Sequence, residues 1–324
     1  MTDPVTYVAG EGMDAAPPAG AIGIAAVERE TGISKETLRV WERRYGFPAP
    51  WRDGAGERLY PPQQVQKLML IRRLMEAGHR PGRVVAAPVE ELTTLLQPAP
   101  NPLLATAGSP EAPEIAVCTE LLKVHDIDGL RRTLSQAVLR RGLAGAVTDV
   151  FAPLTVRIGE LWMSGDLQVF QEHIYSESLQ LVLRHAIQAL PAPASGGPRV
   201  LLTTLPGESH VLGLLMAEAL LTLEGALCLS LGAQTPMEQL VAAAQAHRAD
   251  VVALSFSVQL PHRAVQDGLV ALRALLPAHM EIWAGGGSRA LRPPSTIEGV
   301  RCLPGLTAIG PEVTRVRELL ESSL

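Results

Sequence analysis

The chain is poor in cysteine. Its 324 residues include only Cys118, Cys228 and Cys302, which lie far apart in the sequence. Metal sites and disulfide frameworks use closely spaced cysteines, so this distribution matches neither pattern. The N-terminal residues also lack the apolar core of a secretory signal peptide. Both features are typical of a reducing compartment, and we expect the protein to be cytoplasmic.

Long uncharged apolar runs are missing as well. The longest apolar stretch, Val211 to Ala233, contains Glu218 and Glu224 and is broken by Gly225. A membrane span needs about 20 apolar residues with few charges, so we interpret the stretch as a buried helix followed by a strand. We expect no membrane partner. With 47% apolar and 19% charged residues, the composition is that of a soluble globular protein, and the length predicts two or three domains.

Positive charge is concentrated near the N-terminus. Residues 22–83 hold 12 Lys or Arg against 7 Asp or Glu, a local balance of +5, whereas the whole chain has a net charge of −5. A basic module on an acidic body predicts a nucleic-acid partner for that module alone.

The same basic segment contains a helix-turn-helix pattern. Residues 1–20, rich in Ala, Gly and Pro, are expected to form a disordered tail. The sequence then predicts a helix, a turn at Gly32 and a second helix capped by Ser34. A further helix is predicted from Pro62 to Ala77.

The pattern T-L-R-x-W-E-R-x-x-G, followed by R and by G-x-R-x-Y, runs from Thr37 to Tyr60. It resembles the winged-helix DNA-binding domain of the MerR family, which implies such a domain over residues 21–90 and double-stranded operator DNA as a partner. In helix-turn-helix domains the second helix enters the major groove. The implied DNA-binding residues are Lys35, Thr37, Arg39, Arg43, Tyr45, Arg52 and Arg58. We expect Leu38 and Trp41 to be core residues instead.

Metal- and drug-sensing MerR members continue into a long dimerising helix. Such a helix is interrupted here by Gly78, Pro81, Gly82 and Pro88. A coiled-coil dimer is therefore not expected. A linker is predicted over residues 91–113, which are rich in Pro, Ala and Gly from Gln97 onward. Over residues 114–192, apolar positions recur at three- and four-residue spacing, which predicts a four-helix bundle.

The segment P-G-E-S-H-V-L-G, Pro206 to Gly213, places His210 between a strand-like run, residues 200–205, and a helix-like run, residues 211–223. The carboxyl end of a first parallel strand is where an open α/β sheet binds its ligand. Imidazole suits a borderline metal such as cobalt, and the Glu208 carboxylate can accept the ring's other N–H. The pattern predicts a histidine ligand in this loop.

The spacing Glu208-x-His210-x-x-Gly213 resembles the motif of cobalamin-binding domains, in which the histidine is the lower cobalt ligand. Two further pieces are expected to follow strands: Ser255-x-Ser257 after residues 251–254, and three glycines after residues 280–284. We expect Gly213 to let the corrin approach the helix, and the serines and glycines to leave a slot for the nucleotide tail. The resemblance implies a flavodoxin-like, doubly wound parallel sheet over residues 197–324.

Within the predicted bundle, Trp162 is followed nine residues later by Glu172 and His173. This arrangement resembles the cap of the CarH/LitR-type photoreceptor repressors, in which these residues surround the adenosyl group of adenosylcobalamin. The implied fold is multidomain, α and α/β. The implied cofactor-binding residues are Trp162, Met163, Glu172, His173, Glu208, Ser209, His210, Gly213, Ser255, Ser257, Gly285, Gly286 and Gly287, with His210 as the metal ligand.

The resemblance also implies a function. A homo-oligomer, dimer or tetramer, loaded with adenosylcobalamin or another cobalamin would repress transcription on operator DNA, and photolysis of the cobalt–carbon bond would release it. In light-responsive members a histidine follows the tryptophan and takes the upper cobalt position after photolysis, whereas this chain has Met163. A thioether is a poorer ligand than imidazole for such a centre.

Met163 therefore favours an alternative, a light-independent regulator that senses cobalamin or answers to a partner protein. A cobalamin-dependent methyltransferase-like enzyme is a further alternative. The winged helix argues against the enzyme, because no transfer reaction requires it, and we expect a protein without catalytic residues.

Overall fold

The computed structural model describes residues 20–53, 56–76, 79–96, 112–191, 197–258, 260–292 and 297–322. The chain divides into two compact units, residues 1–96 and 97–324. The predicted tail, apart from Gly20, lies outside the described residues, and so do residues 97–111 of the predicted linker.

The first unit combines short helices with a small antiparallel sheet. Its helices are α1 (Ile24–Thr31), α2 (Lys35–Tyr45), α3 (Pro62–Glu76), α4 (Pro81–Val84) and α5 (Val89–Leu96). Its strands, in the spatial order β1-β3-β2, are β1 (Ile22–Gly23), β2 (Trp51–Arg52) and β3 (Arg58–Tyr60). The predicted helix-turn-helix is confirmed: α1 ends at Gly32, whose φ is +67°, and the Ser34 hydroxyl caps α2 by accepting the Thr37 N–H at 3.2 Å.

The core of this unit lies under the second helix of the motif. Leu38 is 0% and Trp41 is 4% exposed, so both are core residues as expected. The long dimerising helix is absent from the described residues of this unit, because α3 stops at Glu76 and short helices follow.

The predicted linker begins too early. Residues 91–96 belong to α5, which packs against α3 and fully buries Leu92. Pro88 precedes this helix and accepts the Leu92 N–H at 3.1 Å through its carbonyl. Proline interrupts a helix interior but is compatible with a helix start. Pro81 likewise is the first residue of α4. These prolines therefore start helices here.

The second unit opens with four helices. They are α6 (Pro113–Lys123), α7 (Ile127–Gly145), α8 (Ala152–Ser164) and α9 (Val169–Gln188). A π-helical turn, Ala146–Phe151, joins α7 to α8. The helices pack on one another as the predicted bundle, and at its centre the Tyr175 hydroxyl lies 2.6 Å from that of Thr155.

A five-stranded parallel sheet follows. Its strands are β4 (Arg199–Thr203), β5 (Leu227–Ser230), β6 (Val251–Phe256), β7 (Glu281–Gly286) and β8 (Val300–Cys302). Its helices are α10 (Leu212–Leu223), α11 (Met237–Ala246), α12 (His262–Leu275) and α13 (Ile309–Ser322). The spatial order β5-β4-β6-β7-β8 is that of a flavodoxin-like sheet, as predicted, and it changes direction between β4 and β6.

Bundle and sheet share one hydrophobic core. Helix α10 packs against both α7 and α9 on one side and against the sheet on the other, burying Leu215 and Ala219 among residues such as Leu134 and Leu183. This two-sided burial explains the almost wholly apolar sequence of α10. Among the helices of the described ranges, none combines the length and apolar character that a membrane crossing requires.

The position of α5 generates a stability prediction. We expect Leu92→Ala to destabilise the first unit by about 2–5 kcal/mol, because it removes a fully buried side chain from the contact with α3. Hydrogen–deuterium exchange of the α3 amides in the full-length protein measures this, with Glu91→Ala on the exposed face of α5 as the control. If Leu92→Ala leaves α3 protection at the level of the control, α5 is not part of the unit.

Candidate functional site

The loop between β4 and α10 holds a buried carboxylate against an imidazole. Glu208 Oε1 lies 2.5 Å from His210 Nδ1 and accepts the His210 backbone N–H at 3.0 Å, while Oε2 accepts the Ser257 N–H at 2.7 Å. The Glu208 side chain is 1% exposed, but that of His210 is 48% exposed. A carboxylate only accepts hydrogen bonds, so Nδ1 is the donor, and in the neutral imidazole Nε2 keeps the lone pair that a metal ligand needs.

The pair is also coupled electrostatically. Burial by itself raises the pKa of Glu208, but the hydrogen bonds from His210 and from the Ser257 and His210 backbones outweigh it and lower that pKa. The hydrogen bond to Glu208 raises the pKa of His210 against the effect of burial, and the charge of Glu172 on α9 raises it further. The bundle thus presents a carboxylate within electrostatic reach of the loop histidine.

The site lies at the carboxyl edge of the sheet, at its topological switch point. The Glu208 loop follows β4 and Ser257 follows β6, and these two strands are neighbours. Crevices at such points are where open α/β sheets bind ligands. The sheet order therefore brings together residues that lie 49 positions apart in the sequence.

Two predicted strand ends are corrected. Ser255 belongs to β6, and Gly285 and Gly286 belong to β7, so none of them follows its strand. The reason is the parallel ladder, which pairs Ser255 with Gly285 and Phe256 with Gly286 and so extends both strands. Gly286 has φ +110°, and a Cβ there would lie 2.3 Å from the Phe256 carbonyl oxygen. A Cβ at Gly285 would meet no atom within 4 Å, so open space lies beside this glycine.

Gly213 lies close to Ser255. A Cβ at this position would lie 2.9 Å from Ser255 Oγ. The absent side chain therefore lets α10 approach β6, and the approach of a corrin to this helix start stays a prediction. A Cβ at Gly287 would likewise lie 2.9 Å from Val258 Cγ1.

The predicted cofactor-binding residues of the bundle differ in exposure and in hydrogen bonding. Glu172 Oε1 accepts the Ser176 hydroxyl at 2.6 Å, and the His173 side chain is 70% exposed, with Nε2 3.7 Å from Glu172 Oε2. The Trp162 Nε1 atom is buried and has no hydrogen-bond partner among the described residues. Met163 lies in the last turn of α8, but its side chain is outside the described structure. Ser209 is exposed in the loop beside His210.

In the first unit, several of the predicted DNA-binding residues have protein partners. Glu42 on α2 binds Arg58 of β3 at 2.8 Å and Arg52 of β2 at 3.3 Å. Lys35 lies 3.4 Å from Glu28, and Thr37 belongs to the Ser34 cap. Arg39 and Arg43 are exposed on α2, and Tyr45 is half-buried at its end.

Sequence reasoning missed a set of polar residues behind the His210 loop. Thr203 and Thr204 are both 0% exposed at the end of β4, and their hydroxyls bond to the loop after β5. The signal was present in the sequence, because two adjacent threonines end an otherwise apolar strand. Buried hydroxyls need partners, and these partners lie about 30 residues away.

Comparison with known proteins agrees with this architecture. Residues 23–85 match the MerR HTH family regulatory protein family. Residues 198–303 match one B12 binding domain family, and residues 117–187 match a second. A solved structure, the monomethylamine corrinoid protein of Methanosarcina barkeri, superposes with a TM-score of 0.49 at 14% identity, covering 61% of this chain and 96% of that protein.

Two curated relatives come from Myxococcus xanthus. The HTH-type transcriptional repressor CarH is 30% identical over 262 residues, 79% of this chain and 86% of the relative. The HTH-type transcriptional repressor CarA is 31% identical over 275 residues, 83% of this chain and 88% of the relative. This chain therefore belongs to the MerR-family cobalamin-binding transcriptional regulators. Within that class it is a member of the CarH type.

The described residues fit a cobalamin. Metal-bound histidines use one ring nitrogen as ligand and donate the other ring N–H to an acceptor. His210 can do both, because its Nδ1 lies 2.5 Å from Glu208 Oε1 and its Nε2 is left for the cobalt. Open space beside Gly285 leaves room at the sheet edge. On the bundle, the indole N–H of Trp162 is buried and has no acceptor among the described residues. The assignment of individual cofactor contacts remains a prediction.

The packing of Gly213 can be tested in the apoprotein. We expect Gly213→Ala to cost about 1–2 kcal/mol of unfolding free energy, because the new Cβ meets Ser255 Oγ and outweighs the helix-propensity gain. Adding Ser255→Ala should recover most of the loss in urea unfolding, since the clashing oxygen is gone. Gly285→Ala, which meets open space, serves as the control with an effect within about 0.5 kcal/mol. A double mutant as unstable as Gly213→Ala alone would contradict this packing.

Proposed function

We propose that this protein is a light-responsive transcriptional repressor that binds operator DNA as an adenosylcobalamin-loaded homo-oligomer and is released by light. The observation that carries the proposal is the Glu208–His210 pair at the switch point, with a carboxylate of the bundle, Glu172, in electrostatic reach. A loop histidine whose second ring nitrogen is held by Glu208 supports binding of a cobalamin at the switch point.

On the lower side, His210 would hold the cobalt through Nε2. Glu208 holds the ring through Nδ1–H and is itself held by the Ser257 N–H, so the imidazole keeps both its tautomer and its orientation. Glu208 is almost fully buried, which strengthens each of these hydrogen bonds. Gly285, Gly286 and Gly287 border the space for the nucleotide tail.

On the upper side, the upper ligand would be contacted by Trp162, Glu172 and His173. Adenosylcobalamin, when bound, supplies a cobalt–carbon bond that visible light breaks. With the cofactor bound, the Trp162 ring would pack on the adenine and its unpartnered N–H would gain an acceptor, while Glu172 would accept a ribose hydroxyl. Trp162 lies on α8 and Glu172 on α9, so loss of the adenosyl group would remove contacts from both helices.

The first unit supplies the DNA contacts. Arg39 and Arg43 are exposed one helical turn apart on α2, where they face the major groove or flanking phosphates. A single small basic module binds DNA weakly and in a salt-dependent way. Operator binding therefore depends on an oligomer formed through the second unit, and cofactor-dependent assembly controls repression.

One observation favours a second candidate function. Met163 occupies the position at which light-responsive members of the family have a histidine. A thioether does not replace imidazole on such a cobalt centre. A light-independent regulator, which senses cobalamin or answers to a partner protein, needs no ligand at this position.

The lower-ligand role predicts a spectral change. We expect His210→Ala to abolish the histidine-bound cobalamin spectrum and to weaken cobalamin retention about 10-fold or more, because the imidazole nitrogen is lost. His247→Ala, which removes an exposed histidine just after α11, is the matched control for this spectrum. An unchanged spectrum in His210→Ala would remove the basis for the lower-ligand assignment.

The light response is tested by absorption spectra and operator binding of the holoprotein before and after green light. We expect operator binding only in the dark, and a lit state without a second histidine ligand. Met163→His should then create the spectrum of cobalt between two imidazoles, because imidazole binds where the thioether does not. Operator binding that is equal in dark and light supports the light-independent regulator, and two-imidazole coordination in the parent protein would show that another histidine reaches the metal.

A further inference from the structure

A closed ring of hydrogen bonds lies directly beneath the His210 loop. The Thr204 hydroxyl donates to the Glu208 carbonyl oxygen at 2.5 Å and accepts the Gln234 N–H at 2.8 Å. The Gln234 side-chain oxygen accepts the Gly207 N–H at 3.3 Å. The ring therefore joins the loop after β4 to the loop after β5, and it closes at the residue next to Glu208.

The two loops are held in register by the main chain as well. The Thr204 carbonyl accepts the Thr235 N–H at 3.1 Å. Gln234 has φ +58°, a conformation that non-glycine residues adopt infrequently, and it is maintained here by its bonds to Thr204 and Gly207. The loop after β5 is thus shaped to bind the His210 loop.

Thr204 is the member on which the ring depends. It is 0% exposed, and its single hydroxyl serves as both donor and acceptor. Without this hydroxyl, the Glu208 carbonyl loses a donor in a buried setting where water does not substitute for it freely. The Glu208 backbone would then shift, and its carboxylate directs Nδ1 of His210.

We infer that Thr204 is a positioning residue for the cobalt ligand: it fixes the Glu208 backbone so that the carboxylate holds the His210 imidazole in its ligand orientation before the cofactor binds. This inference rests on the proposed role of His210 as lower ligand. It adds a third layer to the site, in which Thr204 supports Glu208 and Glu208 supports His210. The role belongs to the hydroxyl and not to the size of the side chain.

The test compares Thr204→Val with Thr204→Ser in the full-length protein. Valine keeps the branched shape and loses the hydroxyl, whereas serine keeps the hydroxyl. Thr203→Val is the matched control, because Thr203 is equally buried but its hydroxyl bonds to Gly232, to Thr235 and, at 3.3 Å, to the Thr204 carbonyl, and not to Gly207, Glu208 or His210. Each variant is produced with 15N-labelled histidine, loaded with cob(II)alamin and examined by electron paramagnetic resonance for the doublet splitting of a 15N-imidazole ligand, which differs from the triplet of the cofactor's own 14N base. Affinity for aquocobalamin is measured by spectral titration.

We expect Thr204→Val to lose or broaden the imidazole splitting and to bind aquocobalamin about 10-fold more weakly, the usual effect of removing a group that supports a metal ligand. Thr204→Ser should restore both, and Thr203→Val should match the parent. If Thr204→Val keeps the imidazole splitting and the aquocobalamin affinity of the parent protein, the inference is overturned. It is also overturned if Thr203→Val loses as much splitting and affinity as Thr204→Val, because any loosening of this loop would then have the same effect.

Two further variants complete the design. Gln234→Ala removes an exposed side chain from the same ring, so it tests the inference even if Thr204→Val does not fold. We expect Gln234→Ala to weaken the imidazole splitting as well. An unchanged splitting would then count against the ring. His210→Ala separates the two levels of the argument. If the imidazole splitting persists in His210→Ala, the proposed lower-ligand role itself fails. If His210→Ala loses the splitting but Thr204→Val keeps it, only the role of Thr204 is overturned.

Discussion

The hydrogen bond between Glu208 and His210 is the interaction on which the site depends. A carboxylate that is 1% exposed persists as a charge only if donors surround it, and Glu208 has its donors in the His210 ring, the His210 N–H and the Ser257 N–H. Those donors come from two neighbouring strands at the sheet's switch point. The sheet order is therefore a requirement of the site, because only adjacent β4 and β6 bring Glu208 and Ser257 together.

The same loop connects the site mechanically to the bundle. His210 is followed at once by α10, which packs against α9, and α9 carries Glu172. Because α10 is buried on both sides, it cannot move relative to the sheet without disturbing the core that it shares with the bundle. Glu172 thus lies on a helix that shares its packing with α10 and, through α10, with the sheet.

The sequence allowed the fold and the family to be predicted, because apolar runs and motif spacing are local signals. Features set by pairing between distant segments were predicted less well. The ends of β6 and β7 depend on the ladder between Ser255 and Gly285, and the neighbour of Gly213 depends on how α10 meets β6. Thr204 was missed for the same reason, since its partner Gln234 is 30 residues away. The error at α5 was local: residues 91–96 were assigned to the linker, although the Pro-, Ala- and Gly-rich composition begins only at Gln97.

Several basic side chains of the first unit that were predicted to bind DNA already form ion pairs within the protein. Of its predicted DNA-binding cations, Arg52 and Arg58 bind Glu42, and Lys35 lies beside Glu28. Partly exposed ion pairs of this kind are worth at most about 1 kcal/mol, so a phosphate can compete for these side chains. Glu42 has a further consequence, because it sits on α2 and holds one arginine from each of β2 and β3. These two ion pairs link both strands to the second helix of the motif.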